Sequence, residues 1–446
     1  MKTYRADTLP DLAGPAAWND ILGPQAPPKS LTGPATCDLA IIGAGFAGLS
    51  AARRAHQLDP YARIVVLDAM RIAESSAGRN SGFMIDLPHE LTSDDYAGSG
   101  DDRKTIYLNR QAIAFGREAV ADYAIDPNYF DEAGKINGAA STAAEDQNRS
   151  YAKHLSTLDE GSQFLSADDM IEITGSHHYR SGLFTPGTVV LQPAGYIRGL
   201  ADGLRRDGIT LSERSPVTSL TRKGDTWDLT TPQGQISAGS VILTVNGHLD
   251  SFGFERGHLM QLFLFGMMTP DLDAETLKRL GGHTRWGVTP SDPMGTTMRR
   301  IDPAQGGNRI VTRTASVLRP GKRITRADLA RAARKMQRKF NDRFPQLSGL
   351  TPEYTWSGHL CLSMNGVAVM RQLDDGLFAG CVQNGLGTAR GTLTGIGAAE
   401  LALGQTSAIT RHFTAETAPK RLPPKPLQQL GANAFIRYKE WRARVE

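Results

Sequence analysis

The segment Cys37-Asp-Leu-Ala-Ile-Ile-Gly-Ala-Gly-Phe-Ala-Gly48 decides how the rest of the chain is read. Cys37 to Ile42 is a short apolar run of strand type, and glycines follow at Gly43, Gly45 and Gly48. Leu49 to Leu58 has the composition of a helix and Arg63 to Asp68 (RIVVLD) that of a second strand, so the spacing predicts a βαβ unit. Gly43 would make the turn, Gly45 would let a pyrophosphate approach the backbone, and Gly48 would let helix and strand pack closely. Phosphates placed there meet the free N–H groups and the dipole of a helix N-terminus. Asp68, twenty residues beyond Gly48, can accept hydrogen bonds from ribose hydroxyls, and its charge disfavours a 2′-phosphate, hence NADP. The unit predicts an adenine dinucleotide site built from Gly43, Ala44, Gly45, Phe46, Ala47, Gly48, Asp68 and Ala69.

Length and composition set the frame around this unit. At 446 residues the chain exceeds a single usual core, so about two domains are expected. A formal net charge of +4 implies no polyanion-binding surface, and no nucleic-acid partner is expected. The charge is uneven, however: Thr296 to Pro345 holds 14 Lys/Arg against 3 Asp/Glu. Cys37, Cys361 and Cys381 are odd in number and widely spaced, which argues against a disulfide framework and fits a reducing compartment. No zinc-site spacing occurs, and no metal is expected. The N-terminus has early acids and no apolar core of a signal peptide, while Leu259 to Met268 is too short to span a bilayer. A cytoplasmic protein without a membrane span is expected.

Organisation indicates which dinucleotide. Residues 1–36 read as a surface arm rich in Pro and Gly. After Asp68 the chain leaves into Ser75-Ser-Ala-Gly-Arg-Asn-Ser-Gly-Phe-Met-Ile-Asp-Leu-Pro-His89 and long excursions. Helices are predicted over 103–123, 142–173 and Pro193 to Arg206, with a strand-like stretch from Tyr129 to Ala139. Short strands follow from Thr210 to Val245, strands and loops from 255 to 325, and a helix opened by the capping pair Thr325 and Asp328. The pattern returns to sheet near Val241 and closes with a glycine-rich turn and helix near the C-terminus. That discontinuous plan predicts FAD stretched across two domains. The expected division is an arm (1–36), a cofactor domain (37–90, 150–250 and 354–425), a substrate domain (91–149 and 251–353) and a tail (426–446).

The stretches 37–82, 193–248 and 354–403 together resemble the FAD-dependent D-amino-acid oxidase / glycine oxidase superfamily. Within it the chain is most similar to the gamma-glutamylputrescine oxidoreductase group and its opine-catabolic relatives. The resemblance is carried by Gly43 to Gly48, Gly78-Arg-Asn-Ser-Gly82, Trp356-Ser-Gly358 and Asn384-Gly-Leu-Gly-Thr-Ala-Arg-Gly-Thr392. It implies an α/β (α+β) fold: a discontinuous Rossmann-like FAD domain of the glutathione-reductase type, with a substrate domain on a mixed or antiparallel sheet. It further implies that Arg79, Asn80, Ser81 and Gly82 run beside the pyrophosphate and the isoalloxazine, and that Val217 meets the adenine. Gly385, Leu386, Gly387, Thr388, Gly391 and Thr392 would set a helix N-terminus against the pyrimidine side, where reduced flavin carries negative charge. Asn246, ending the strand at Val245, is a further cofactor candidate. Many relatives carry His-Gly where Asn384-Gly385 stands, so a role of that histidine does not carry over.

The implied reaction is oxidation of a C–N bond of a small amine or amino acid: hydride passes to flavin N5, and the imine hydrolyses to an aldehyde or oxo acid plus an amine. Oxygen, giving hydrogen peroxide, or another acceptor would reoxidise the flavin. The rival readings are an NAD(P)H-using monooxygenase of the aromatic hydroxylase type and a non-catalytic FAD-binding protein. Arg299, Arg300, Arg313 and Arg390 are the candidates to clamp a substrate carboxylate, with Met84 along the loop beyond Gly82. His258 and His89 are the histidine candidates for catalysis. Cys361 falls near a covalent flavin attachment point of some sarcosine-oxidising relatives, but a small buried thiol, with FAD held non-covalently, is expected.

Overall fold

In the computed structural model, which describes residues 2–88, 93, 97–98 and 100–446, the βαβ unit forms from Gly33–Ile42, Phe46–Leu58 and Ile64–Leu67. Gly43 and Gly48 of the turn are required in different ways, whereas at Gly45 an added Cβ would make only ordinary contact, 3.5 Å from Ala77. Gly43 has φ +107°, and a Cβ there would lie 2.8 Å from the Thr244 carbonyl oxygen. At Gly48 an added Cβ would fall 1.7 Å from the Gly43 carbonyl, so helix and turn touch backbone to backbone.

Gly33–Ile42 lies near the middle of a nine-stranded sheet. It runs parallel to Ile64–Leu67 on one side and to Gly234–Leu243 on the other. Thr210–Ser212 adds a further parallel strand beside Ile64–Leu67. The outer edge of Gly234–Leu243 is shared between two partners. Its first half pairs with the antiparallel meander Ser219–Lys223 and Thr226–Thr230, and its second half with Leu377–Cys381 from far along the chain. Helices Phe46–Leu58, Pro193–Arg206 and Ala389–Ala402 bury one face of this sheet in a single large apolar core. Contact is closest at Gly395, where a Cβ would sit 2.0 Å from the Ala47 carbonyl.

The second sheet has eight strands, in the order Tyr354–Ser363, Leu259–Met268, Arg309–Leu318, Thr297–Ile301, Trp286–Pro290, Lys135–Ala139, Ser181–Thr185 and Gln163–Leu165. All its pairings are antiparallel except that of Trp286–Pro290 with Lys135–Ala139. Helix Arg326–Arg343 covers one face, burying Met336 and Phe340 against Phe263, Phe265 and Val317. A small third sheet, Phe83–Met84 with Val189–Leu191 and Phe130–Asp131, joins the two halves.

Several elements depart from the expected plan. Gln163–Leu165, Ser181–Thr185 and Tyr354–Ser363 pair in the second sheet, although the sequence reading grouped them with the cofactor segments. The long helix expected over 142–173 is two helices, Thr142–Thr157 and Ala167–Thr174, with an edge strand between them. The strand expected over Tyr129 to Ala139 breaks at Gly134, whose φ of +72° turns the chain from the third sheet into the second. The C-terminal tail contains helix Lys425–Arg442, which packs Ile436 on Leu262 and Leu318.

Candidate cofactor and substrate site

A long cavity opens where the glycine turn of the first sheet faces strands Leu259–Met268, Arg309–Leu318 and Tyr354–Ser363 of the second. At one end it is bounded by Gly43, Gly45, Phe46, Ala47, Asp68, Ala69 and Val217. Arg79, Asn80 and Ser81 line it from the loop after the second strand, and Asn246, Gly385, Gly387, Thr388 and Gly391 from the two later segments. Leu264, Gly266, Val311, Arg313 and Trp356 close the far side. Four stretches separated by up to 300 residues and more thus converge on one space.

Two helices aim their N-termini into it. Phe46–Leu58 begins at Gly45 and Ala389–Ala402 at Thr388, and neither start is capped by a side chain. The Thr388 hydroxyl instead donates to the Phe83 carbonyl at 2.7 Å, tying the helix start to the strand that follows Gly82. Two uncapped helix starts in one cavity supply N–H groups and positive dipole ends for an anionic ligand such as a dinucleotide.

Asp68 is buried at the end of its strand, and its two oxygens accept from the Ala44 and Met70 N–H groups, each at 2.7 Å. Burial still dominates and pushes its pKa up to about 6.

The loop from Ser75 to Gly82 is held by its own polar side chains. Asn80 donates to the Ala77 carbonyl at 2.6 Å and accepts from the Gly82 N–H at 2.8 Å, closing a local turn. Arg79 is buried, and its guanidinium donates to four backbone carbonyls: Glu74 at 2.7 Å, Gly14 at 3.0 Å, and Ala13 and Ser357 at 3.3 Å. Burial presses its pKa down to about 10. Trp356 reciprocates through its indole N–H to the Arg79 carbonyl at 3.0 Å, and the Ser357 N–H donates to Ala13 at 2.8 Å. Arg79 therefore clasps the N-terminal arm, the loop and strand Tyr354–Ser363 together. The arm is accordingly more than a surface strap, because Thr8, Leu9, Pro10 and Leu12 line the cavity.

The other arginines separate clearly. Arg313 lines the cavity from strand Arg309–Leu318. Arg299 lies buried beneath the loop, donating to the carbonyls of Ser81 at 3.0 Å and Leu191 at 2.6 Å, and burial lowers its pKa to about 9. Gly82 has φ +80°, and a Cβ there would meet the Arg299 guanidinium at 2.2 Å. Arg300 bonds the Gly281 carbonyl at 2.5 Å, and Arg390 pairs with Glu416 at 2.8 Å. Neither lines the cavity; nor do Met84, which is fully buried in the core, Ala44, Gly48, Gly82, Leu386 and Thr392. His258 lies outside it too, bonded through Nδ1 to the Pro419 carbonyl at 2.7 Å. His89 falls outside the described residues.

The structure adds His248 and His359, whose rings stand 5.2 Å apart on the cavity wall. His359 donates from Nε2 to the Gln261 side-chain amide oxygen at 2.8 Å, and the Gln261 amide nitrogen donates in turn to the Gly247 carbonyl and the Asp250 carboxylate, each at 2.9 Å. Burial lowers the pKa of His248 to about 4 and that of His359 well below its usual value, so both are neutral at pH 7. His359 stands directly after the Trp-Ser-Gly match, a signal that was present in the sequence. His248 closes the segment Thr244-Val-Asn-Gly-His248. Cys361 is fully buried behind this wall, where burial raises its thiol pKa, and it does not line the cavity.

A family model described as FAD dependent oxidoreductase (DAO) matches residues 38–401. The chain belongs to this family. It is an FAD-dependent oxidoreductase, and the paired helix starts fit that cofactor. Among its relatives, a probable oxidoreductase OrdL of Rhizobium meliloti (strain 1021) is 22% identical over 410 residues, covering 88% of this chain and 89% of that one. The gamma-glutamylputrescine oxidoreductase of Escherichia coli (strain K12) is 24% identical over 79% of this chain and 80% of its own. Among solved structures, glycine oxidase from Geobacillus kaustophilus superposes with TM-score 0.70 at 16% identity, covering 86% of this chain and all of that one. NikD, an amino acid oxidase of nikkomycin biosynthesis, gives 0.67 at 17% identity over 87% of this chain and 99% of its own. The two sheets and their connections are thus those of the DAO fold.

Proposed function

We propose that this oxidoreductase oxidises the C–N bond of a small carboxylate-bearing amine: a secondary amine, an N-substituted amino acid or a gamma-glutamyl amine. The observation that carries the reading is Arg313 on the cavity wall, contributed by strand Arg309–Leu318 of the second sheet. A guanidinium there can hold a carboxylate by two parallel hydrogen bonds and so fix which C–H faces the cofactor. The relatives named for gamma-glutamylputrescine and glycine support an amine substrate.

In this reading Asp68 accepts from the ribose hydroxyls, the turn Gly43–Gly48 and its helix start hold the pyrophosphate, and Val217 lies at the adenine. The backbone of Asn80 to Gly82 runs along one side of the ring system, because the Arg79 and Asn80 side chains are already engaged with backbone groups. Gly385 to Thr388, with Gly391 behind them, present N–H groups to the edge that gains negative charge on reduction. Bound FAD would supply the hydride acceptor. The chain's part is to orient the amine, to exclude water with Leu264, Val311 and Trp356, and to hold the substrate in its neutral, electron-rich form. His248 and His359 are neutral, so each keeps one ring nitrogen as an acceptor for the amine N–H, Nδ1 in His359, without competing for Arg313's anion. Cys361, turned away from the cavity, supports a non-covalent cofactor.

The test is anaerobic mixing of the yellow protein with a panel of amines, amino acids, N-substituted glycines and gamma-glutamyl amines. Bleaching by one carboxylate-bearing class is expected. Rapid bleaching by NADPH alone would replace this reading with a monooxygenase, and no bleaching by any amine would leave an FAD-binding protein without this chemistry.

A further inference from the structure

The basic segment from Thr296 to Pro345 and the C-terminal helix have no part in the site described above, yet they pack together. Helix Lys425–Arg442 buries Ile436 against Leu262 and Leu318 of the second sheet. It also covers the far end of strand Arg309–Leu318, where Asn433 accepts from the Leu318 N–H at 2.9 Å and Glu440 from the Ser316 N–H at 3.0 Å. The opposite side carries Leu427, Leu430, Phe435, Tyr438 and Trp441, continued by Val445, each between 46% and 73% exposed. At 100° per residue these fall within about 80° either side of one line along the helix. They account for six of the exposed large apolar side chains of the described residues, gathered on one element.

Charge flanks this stripe with a single sign. Arg437 and Arg444 lie exposed along one margin and the half-buried Lys439 along the other, with the exposed Arg442 between Tyr438 and Phe435, and the Arg444 guanidinium stands 4.8 Å from the Trp441 ring. The carboxylates of the segment are turned inward: Glu440 also pairs with Lys335 at 2.9 Å, and Glu446 accepts from the Ala140 N–H and the Ser141 hydroxyl. Lys335 belongs to helix Arg326–Arg343. Arg331 and Arg338 of that helix lie within about 60° of it around the axis and are exposed, against Asp342 as the exposed acid on that side.

We infer that this face docks the protein on an anionic phospholipid surface, the C-terminal helix lying flat with its apolar stripe among the acyl chains and its arginines at the phosphates. An amphipathic helix with Trp, Phe and Leu on one side and cations at the margins has the composition that binds an interface in plane, with the long cationic side chains reaching up to the headgroups. Charge favours lipid over a second copy of the chain. Apposing two such stripes would bring arginine margins together, whereas anionic headgroups neutralise them. Among the described residues no helix is long and apolar enough to cross a membrane, so the attachment is peripheral. The buried side of this helix reaches the cavity wall, since Leu360 both lines the cavity and packs against the cluster of Leu262, Leu318 and Ile436.

The experiment is co-sedimentation of the full-length FAD-loaded protein with vesicles of phosphatidylcholine alone or mixed with phosphatidylglycerol, at low and high salt. Binding only to the phosphatidylglycerol vesicles, weakened by salt, is expected. Each cation near the surface adds about 1 kcal/mol, so replacing Arg437, Arg442 and Arg444 together by Gln should weaken binding about a hundredfold. Phe435→Ser with Trp441→Ser should abolish it while far-UV circular dichroism and flavin content stay at the parent level. No binding to either vesicle would overturn the inference. So would a dimer in light scattering that the Phe435/Trp441 variant dissolves, which would make the stripe a protein interface.

Discussion

Replacing Arg79 by Met separates two roles for that side chain. The resemblance to known flavoproteins places an arginine here against the cofactor, whereas the structure shows its guanidinium on four carbonyls from three segments. The two bonds to the arm, to Gly14 at 3.0 Å and Ala13 at 3.3 Å, are each worth about 1.5–3 kcal/mol for a charged donor. Against them stands the burial that drags its pKa from 12.5 to about 10, a penalty of about 3 kcal/mol. The net is about 2 kcal/mol holding the arm down, so Met at this position should raise the fraction of molecules with a released arm about thirtyfold. Thermolysin cleavage ahead of Leu9 or Leu12 reports that fraction when opening and closing are fast. The expected result is faster cleavage of the arm by roughly that factor, with FAD affinity changed by less than about tenfold. Unchanged cleavage together with a large loss of FAD would refute the clasp and make Arg79 a cofactor ligand.

Cofactor affinity should also depend on pH through Asp68. Because burial raises its folded pKa from 3.8 to about 6, the free protein loses stability as pH rises through that window and carries the whole penalty above it. Ribose hydroxyls bind the ionised form, so FAD affinity should rise with pH up to about 6 and then level off, and Asp68→Asn should bind weakly with no such rise in a fluorescence titration. Gly395→Val would press a side chain onto the Ala47 carbonyl between the two helices that open into the cavity. It should lower the melting temperature by several degrees and strip FAD, at an overpacking cost of about 1–3 kcal/mol or more. Arg313→Leu should raise KM for a carboxylate-bearing amine about a hundredfold with a smaller change in kcat; an unchanged KM would remove Arg313 from the substrate site.

What could be read from the sequence was local, and what could not was decided at a distance. The turn from Gly43 to Gly48 announced itself because its first and last glycines answer steric demands within a few residues or from one neighbouring strand. The helix at Thr325 was visible for the same reason, through a capping box closed within the segment. Strand partners were not visible: nothing in Tyr354 to Ser363 says that it pairs with Leu259–Met268 rather than with the parallel sheet holding Leu377–Cys381. The arginines show the same limit more sharply. Arg79, Arg299, Arg300 and Arg313 look alike as charges in a sequence, and three of them are fixed by carbonyls that folding brings from as far as 278 positions away. A buried guanidinium with five donors goes where unpaired carbonyls accumulate, at the seams between loop, arm and sheet. Arg79 and Arg299 brace the loop from Ser75 to Gly82 at its two ends, and the Asn80 side chain closes the turn between them. The glycine at Gly82 follows from this arrangement, because its missing side chain is the space that Arg299 occupies.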